Sequence, residues 1–377
     1  MRVILYLKHF PPAGSPLVGG TSVAVDGLAA GLAQNGAEVT VLCEGGARSS
    51  VRTDKGYVIE CFANSRRYRT FALSSELKLY VSQHLAVKRA VCVINGMFHP
   101  GAYAMGRLLR KHGVPYVVVP HGAYDRAIFR KNAHLKWPYW YLFERTLLRH
   151  ASAIQTMDAS QANCLHGLGI EADVIEAPNG ITMKSVPEEA RLRWAAPGEP
   201  EKFMFFGRVD PYIKGLDIFL EAFTRVAAQT DARFTIQGPG NRSQLERQAA
   251  AWGVSRRIVF RDADYVRPAP HILGECDVLC LPSRSEGFGL AALEAMLAGR
   301  VLLVSERAGI ARHVKAADCG VVVRPSVTGI EAGLLSVMRC RSKWREMGLR
   351  GRRYAIENLQ WKSIASNVLE QYARLTG

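Results

Sequence analysis

Short apolar runs alternate with stretches of helical periodicity along nearly the whole chain. The candidate strands are Val3–Leu7, Val39–Cys43, Val58–Phe62, Val91–Ile94, Tyr116–Val119 and Ala153–Thr156. A second series follows: Phe203–Phe206, Arg233–Gln237, Ile258–Arg261, Val278–Leu281, Val301–Val304 and Gly320–Val323. Amphipathic stretches such as Val23–Gln34, Leu216–Ala228 and Leu290–Ala298 lie between them. Strand–helix–strand repetition predicts parallel sheets with helices on both faces, and two series predict two doubly wound α/β domains.

The polar, Pro-rich stretch Met183 to Glu201 reads as the seam. The expected organisation is a first domain over residues 1–182, a linker over 183–200, a second domain over 201–358 and a final helix over 359–377. That helix is expected to pack back towards the first domain. Two Rossmann-like domains facing each other create a cleft, and ligands of such sheets sit at the carboxyl ends of the strands.

Composition narrows the class. The 377 residues are 48% hydrophobic and 22% charged, as in an ordinary globular chain, which excludes disordered and fibrous proteins. The 49 Lys and Arg exceed the 33 Asp and Glu by 16 charges, which predicts anionic partners such as phosphates, an acidic membrane face or nucleic acid. The eight cysteines are scattered, most of them inside apolar runs, and Cys276 and Cys280 read as core filler, which suggests a reducing cytoplasm. The apolar run after Arg2 stops at Lys8, too short for a secretory core, and the apolar window Phe288–Val304 carries Glu294 and Arg300. The chain is therefore expected to be soluble, or to rest on a membrane without crossing it.

Four loops at strand ends carry candidate chemistry. Gly19-Gly20-Thr21 precedes a helix, where bare N–H groups and the helix dipole suit a phosphate, although a plain turn reads equally well. Pro120-His121-Gly122 follows the Tyr116–Val119 strand. His121 there either serves a polar substrate or is satisfied by local backbone. After Phe203–Phe206, Gly207-Arg208-Val209-Asp210-Pro211-Tyr212-Ile213-Lys214-Gly215 sets two cations in a tight loop suited to a diphosphate. After Val278–Leu281, Glu286-Gly287-Phe288-Gly289-Leu290 opens a helix that also carries Glu294. Eight residues are about two helical turns, so Glu286 and Glu294 are expected on nearly one face, with glycine-bared N–H groups between them.

These last two loops together resemble the retaining nucleotide-sugar glycosyltransferases of the GT-B fold, glycosyltransferase family 4 of group 1 type. The resemblance covers essentially the whole chain and is most specific in G-R…K-G followed by E-G-F-G-L-x-x-x-E. It implies that Arg208 and Lys214 bind the donor diphosphate and that Glu286 contacts the donor sugar. It implies further that Gly287, Phe288, Gly289 and Leu290 line sugar and phosphates, and that Glu294 holds the ribose. Gly20 matches an N-terminal glycine near the phosphate, His121 a histidine near the donor sugar, and Asn179-Gly180 the pair that ends the first domain. The catalytic set expected is Glu286, His121, Arg208 and Lys214. Thr182 stands where Asp often follows that pair, and Ala308–Arg312 lacks the Pro-Glu of many members.

The resemblance implies hexosyl transfer from a nucleotide-diphosphate sugar to an acceptor hydroxyl with retention of configuration, without a cofactor. Metal is expected to be dispensable, because two cations and a helix dipole already offset the diphosphate charge. The acceptor is expected to be a saccharide or lipid-linked saccharide of cell-surface polysaccharide or lipopolysaccharide synthesis. Residues 48–149 hold 18 Lys and Arg against 5 Asp and Glu, and Arg126–Arg149 interleaves cations with Trp137, Tyr139, Trp140, Tyr141 and Phe143. That segment suits an anionic membrane face, or equally a packed helix with a solvated basic side. The location expected is cytoplasmic, with a peripheral inner-membrane position as a variant. Other readings are a nucleotide-sugar epimerase or sugar phosphorylase on the same scaffold and, from another class, a basic nucleic-acid-binding protein. No nucleic-acid motif appears, so no nucleic-acid partner is expected.

Overall fold

The first sheet contains β1 (Arg2–Tyr6), β2 (Glu38–Gly45), β3 (Ser49–Arg52), β4 (Val58–Ala63), β5 (Ala90–Asn95), β6 (Tyr116–Val119), β7 (Ala153–Thr156) and β8 (Val174–Glu176), in the order β3-β4-β2-β1-β5-β6-β7-β8. The second contains β9 (Lys202–Phe206), β10 (Arg233–Gln237), β11 (Ile258–Arg261), β12 (Val278–Leu281), β13 (Val301–Ser305) and β14 (Gly320–Val323), in the order β11-β10-β9-β12-β13-β14. Every pairing is parallel except β3 on β4. These are the strands of a computed structural model that describes all residues except 18, 66–69, 86–89, 184–185, 190–191, 197 and 377.

All twelve expected strands occur, with ends moved by at most two residues. Parallel strands covered by helices bury both faces, so Val3–Tyr6 and Val301–Val304 are wholly apolar or nearly so and fully enclosed. The strands that sequence reading passes over are β3, exposed at all four positions, and the three-residue β8 at the opposite edge.

Two compact units result: Met1–Gly180 with the tail from Trp361, and Ile181–Gln360. The tail helix Trp361–Arg374 packs on the helix Gly20–Gln34 of the first unit. Gly27 and Gly31 make room for it, since a Cβ on Gly27 would lie 2.1 Å from the Trp361 indole nitrogen. Asn35 Nδ2 donates to the Lys362 carbonyl at 2.8 Å, and the buried Tyr372 hydroxyl donates to Gln155.

Part of the expected linker lies on the second unit. Leu192 is buried, the Trp194 indole N–H donates to the Gly299 carbonyl at 3.1 Å, and the Ala195 N–H donates to Asp277 at 3.1 Å. Its residues 184–185, 190–191 and 197 lie outside the described residues. Ile181, entering the unit, donates its N–H to the carbonyl of Leu359 at 2.7 Å and pairs with Gln360 in a parallel bridge. Among the described residues no helix is long and apolar enough to cross a membrane. Cys276 and Cys280 are buried and unpaired, and burial pushes the Cys276 thiol up to about 12, as a structural cysteine requires.

Inside each sheet the order of parallel strands reverses, between β1 and β5 in the first and between β9 and β12 in the second. Such reversals open a crevice at the carboxyl ends of the strands, because neighbouring loops leave in opposite directions.

Candidate functional site

The reversal in the second sheet brings the loop after β9 and the loop after β12 side by side. Lys214 Nζ donates to Glu286 Oε2 at 2.6 Å, and the buried Ser283 hydroxyl approaches the same oxygen at 3.3 Å. Both charged side chains are about 15% exposed, so the pair is partly withdrawn from water yet open on one side.

The backbone around Lys214 is tied down at both ends. Asp210 caps the turn, its Oδ1 accepting from the Ile213 N–H at 3.1 Å and its carbonyl accepting from the Lys214 N–H at 2.9 Å. Gly215 has φ +65° and faces the carbonyl of Pro282 so closely that a Cβ would lie 2.2 Å from that oxygen. Arg284 closes the clamp. It forks onto the two Asp217 carboxylate oxygens at 2.6 and 2.9 Å, donates to the Tyr212 carbonyl at 2.7 Å, and stacks 4.6 Å from the Tyr212 ring. A planar guanidinium can hold this geometry where an ammonium cannot.

Glu286 differs from its sequence expectation. The helix runs Leu290–Leu297, capped by Gly289 at φ +102°, so Glu286 lies four residues ahead of it and not on its face. An isolated backbone bridge to Ala308, together with Lys214 and Ser283, sets its direction instead. Gly287 to Leu290 lead into the helix start, whose first N–H groups have no acceptor within the helix. The Glu294 carboxyl, inside the helix, has no hydrogen-bond partner among the described residues, and desolvation pushes it up to about 7. Arg208 follows β9, exposed and without a hydrogen bond or ion pair among the described residues.

In the first unit Gly20 is the first residue of its helix, behind Gly19 at φ +88°. His121 follows β6 at φ +51°, a left-handed conformation rare outside glycine. Its Nε2 lies 2.7 Å from Asn95 Oδ1. The Asn95 amide nitrogen faces the carbonyls of Tyr6 and Val93, at 3.4 Å each, which leaves its oxygen for the ring. His121 Nε2 therefore carries the proton, and Nδ1 is the acceptor. Burial pushes the imidazole down to about 4, so it is neutral at pH 7. Glu144 was not singled out by sequence. Fully buried, it accepts from the Tyr124 hydroxyl at 2.8 Å and from the Phe98 N–H, and so ties the loops after β5 and β6 together.

The His121 shift has a measurable sign. A base whose folded value lies below its unfolded one binds fewer protons when folded, so its contribution is intact above about pH 6.5 and lost as pH falls towards 4. His121→Asn keeps a residue tolerant of the left-handed backbone and removes the titration. Urea titrations at pH 7.5 and 5.0 should show the wild type losing about 2 kcal/mol more than the variant between them. Equal losses would refute the buried neutral state. The Glu144 carboxyl, raised to about 7 by burial, acts in the opposite direction but is common to both proteins.

The expectation that metal is dispensable also takes the chain to lack any Asp-x-Asp, and that is wrong: one occurs at Asp262-Ala263-Asp264. Arg242 holds Asp262 at 3.1 Å, and Arg267 holds Asp264 at 2.6 Å. The expectation for Arg126–Arg149 divides. Phe129 and Trp140 are buried as a packed segment requires, whereas Leu135, Trp137, Tyr141 and Leu142 are exposed.

Two doubly wound units, the second with a cation–carboxylate pair at its strand reversal and a glycine-led helix beside it, define the GT-B class of fold. Residues 200–339 match the family model described as Glycosyl transferases group 1, and residues 19–180 match Glycosyl transferase 4-like domain. The chain belongs to this family of glycosyltransferases. It is 27% identical over 213 residues to the phosphatidyl-myo-inositol mannosyltransferase of Mycobacterium tuberculosis, covering 55% of each chain. It is 26% identical over 287 residues to the MMP alpha-(1->4)-mannosyltransferase of Mycolicibacterium hassiacum, covering 71% of this chain and 67% of the relative. Among solved structures, sucrose-phosphate synthase from Thermosynechococcus elongatus superposes with a TM-score of 0.78 at 16% identity, over 99% of this chain and 98% of that one. The first matches among curated relatives thus span about half of those proteins' length.

Proposed function

We propose that the protein transfers a hexosyl group from a nucleotide-diphosphate sugar to an acceptor hydroxyl with retention of anomeric configuration. The observation that carries this reading is the Lys214–Glu286 pair at the strand reversal, next to the glycine-led start of Leu290–Leu297. Charge arithmetic supports it. Lys214 and Glu286 cancel, Arg208 adds one positive charge, and the helix start adds roughly half of one. A neutral sugar meets no net repulsion from the pair, while the diphosphate behind it meets net positive charge that strengthens its hold as the glycosidic bond breaks.

In this reading Arg208 and Lys214 take the diphosphate, and Gly287 to Leu290 line it. Glu286 accepts hydrogen bonds from sugar hydroxyls, and Glu294 grips the ribose. By the same resemblance His121 matches a histidine near the donor sugar and Gly20 a glycine near the phosphate. The acceptor is a saccharide or lipid-linked saccharide of cell-surface polysaccharide or lipopolysaccharide synthesis. The exposed Leu135, Trp137, Tyr141 and Leu142, among the cations of Arg126–Arg149, would rest on an anionic membrane face.

Thermal-shift titration with UDP-, GDP- and ADP-sugars identifies the donor, because stabilisation grows with ligand concentration over its dissociation constant. Incubation of that donor with saccharide acceptors, followed by NMR of the anomeric proton, should show a retained linkage. Conversion of the donor without acceptor would indicate an epimerase and reject the proposal. Flotation with acidic and with zwitterionic vesicles tests the membrane contact.

A further inference from the structure

On the first unit, a groove of about 720 Å³ runs along the helix Pro100–Lys111 and is bordered across from it by Phe71, Leu73 and Lys78. Its floor is aromatic. The rings of Phe71, Tyr103 and Phe143 contact one another, with centroids 4.8 Å apart for Phe71–Phe143, 5.1 Å for Tyr103–Phe143 and 6.0 Å for Phe71–Tyr103. Its rim is cationic. Among the described residues Lys78, Arg107, Arg110 and Lys111 line it, no acidic residue does, and none of the four side chains has a hydrogen bond or ion pair.

Folding alone does not account for this composition. The dipole of the Pro100–Lys111 helix favours cations in its last turn, which suits Arg110 and Lys111. Lys78 stands likewise in the last turn of its own short helix, Ser75–Tyr80, but no helix end accounts for Arg107. Arg107 and Lys111, four residues apart, repel on one helix face. Phe71, 46% exposed, leaves much of its ring in water beside them. Like charges gathered around an open aromatic floor match a ligand that is anionic at one end and apolar at the other.

We propose that this groove holds one anionic phospholipid of the bilayer, its phosphate among Lys78, Arg107, Arg110 and Lys111 and the first part of its acyl chain on Phe71, Tyr103 and Phe143. The inference deepens the membrane reading above and rests on it for the source of the lipid. The site differs from the Leu135–Leu142 surface in being a discrete, saturable pocket.

Calorimetric titration with dihexanoyl phosphatidylglycerol below its micellar concentration tests the groove itself. Saturable binding is expected, weakened about tenfold or more in the Arg107→Glu, Lys111→Glu double variant and also weakened in Phe71→Ala. All three positions lie on the rim or half-exposed floor, and thermal melts check that the variants fold. Dihexanoyl phosphatidylcholine and inorganic phosphate should bind much more weakly. Unchanged lipid binding in the double variant overturns the inference. So does phosphate binding as tightly as the lipid, or an oligouridylate displacing it at equal concentration. Vesicle flotation separates the two readings: normal flotation with unchanged short-chain binding in the double variant sinks the groove alone. Absent flotation with groove-dependent short-chain binding sinks the membrane contact alone.

Discussion

Replacing Lys214 by alanine is expected to lower turnover by about 10²–10³-fold, the usual cost of removing one preorganised charge from a transition-state site. The expectation follows from the ion pair as much as from the lysine. In the wild type Lys214 cancels Glu286 at 2.6 Å. Without the ammonium, the Glu286 carboxylate faces the diphosphate uncompensated, so one substitution removes attraction and adds repulsion. The fold should survive, because the loop is held by Asp210, Arg284 and Asp217, none of which depends on the lysine head group. Steady-state kinetics with a thermal melt separate the two effects. A second comparison isolates the electrostatics: Lys214→Ala with Glu286→Gln should recover part of the affinity for the nucleoside diphosphate product but not the turnover. Near-wild-type turnover in Lys214→Ala would remove the observation on which the functional reading stands.

The second large effect is expected at a glycine. Gly215→Ala places a methyl group 2.2 Å from the Pro282 carbonyl oxygen at a backbone φ of +65°. The methyl cannot be absorbed by a flexible side chain, because the atom it meets is main chain. The substitution should destabilise the second unit by about 3 kcal/mol, from left-handed strain together with a forced shift of one loop. The same shift would part Lys214 from Glu286 and so reduce turnover in whatever protein remains folded. Gly253→Ala is the matched control. Its φ is +70° and nothing lies within 4 Å, so it should cost only about 1 kcal/mol. Urea titration of the two variants gives the comparison, and equal costs would show that the Pro282 contact is loose.

Strands enclosed on both sides were legible in sequence, since a run such as Val278–Leu281 needs no partner to be recognised as buried. β3 was not legible because Ser49 to Arg52 pack nothing and owe their conformation to pairing with β4. The site divided in the same way. Lys214, Glu286 and the glycines stand in motifs that read locally. Arg284 belongs to no motif that reads locally, because its partners Tyr212 and Asp217 lie 72 and 67 positions earlier. Asn95 was silent for a similar reason, its role being the ring of a histidine 26 residues on. The two-turn spacing misplaced Glu286 because it assumed that the helix begins at the motif. The actual start is set by Gly289, whose left-handed φ ends the loop.

Ile181 and Leu359, the first and nearly the last residues of the second unit, are joined by a hydrogen bond of 2.7 Å. The sequence between them leaves and returns through one doorway, as a guest segment spliced into a host whose own chain resumes with the tail helix. Such an arrangement makes residues 181–360 a cassette. Its ends already meet, so they can be sealed or re-opened elsewhere on its surface, and a relative's cassette could be exchanged for it without remaking the host's own core.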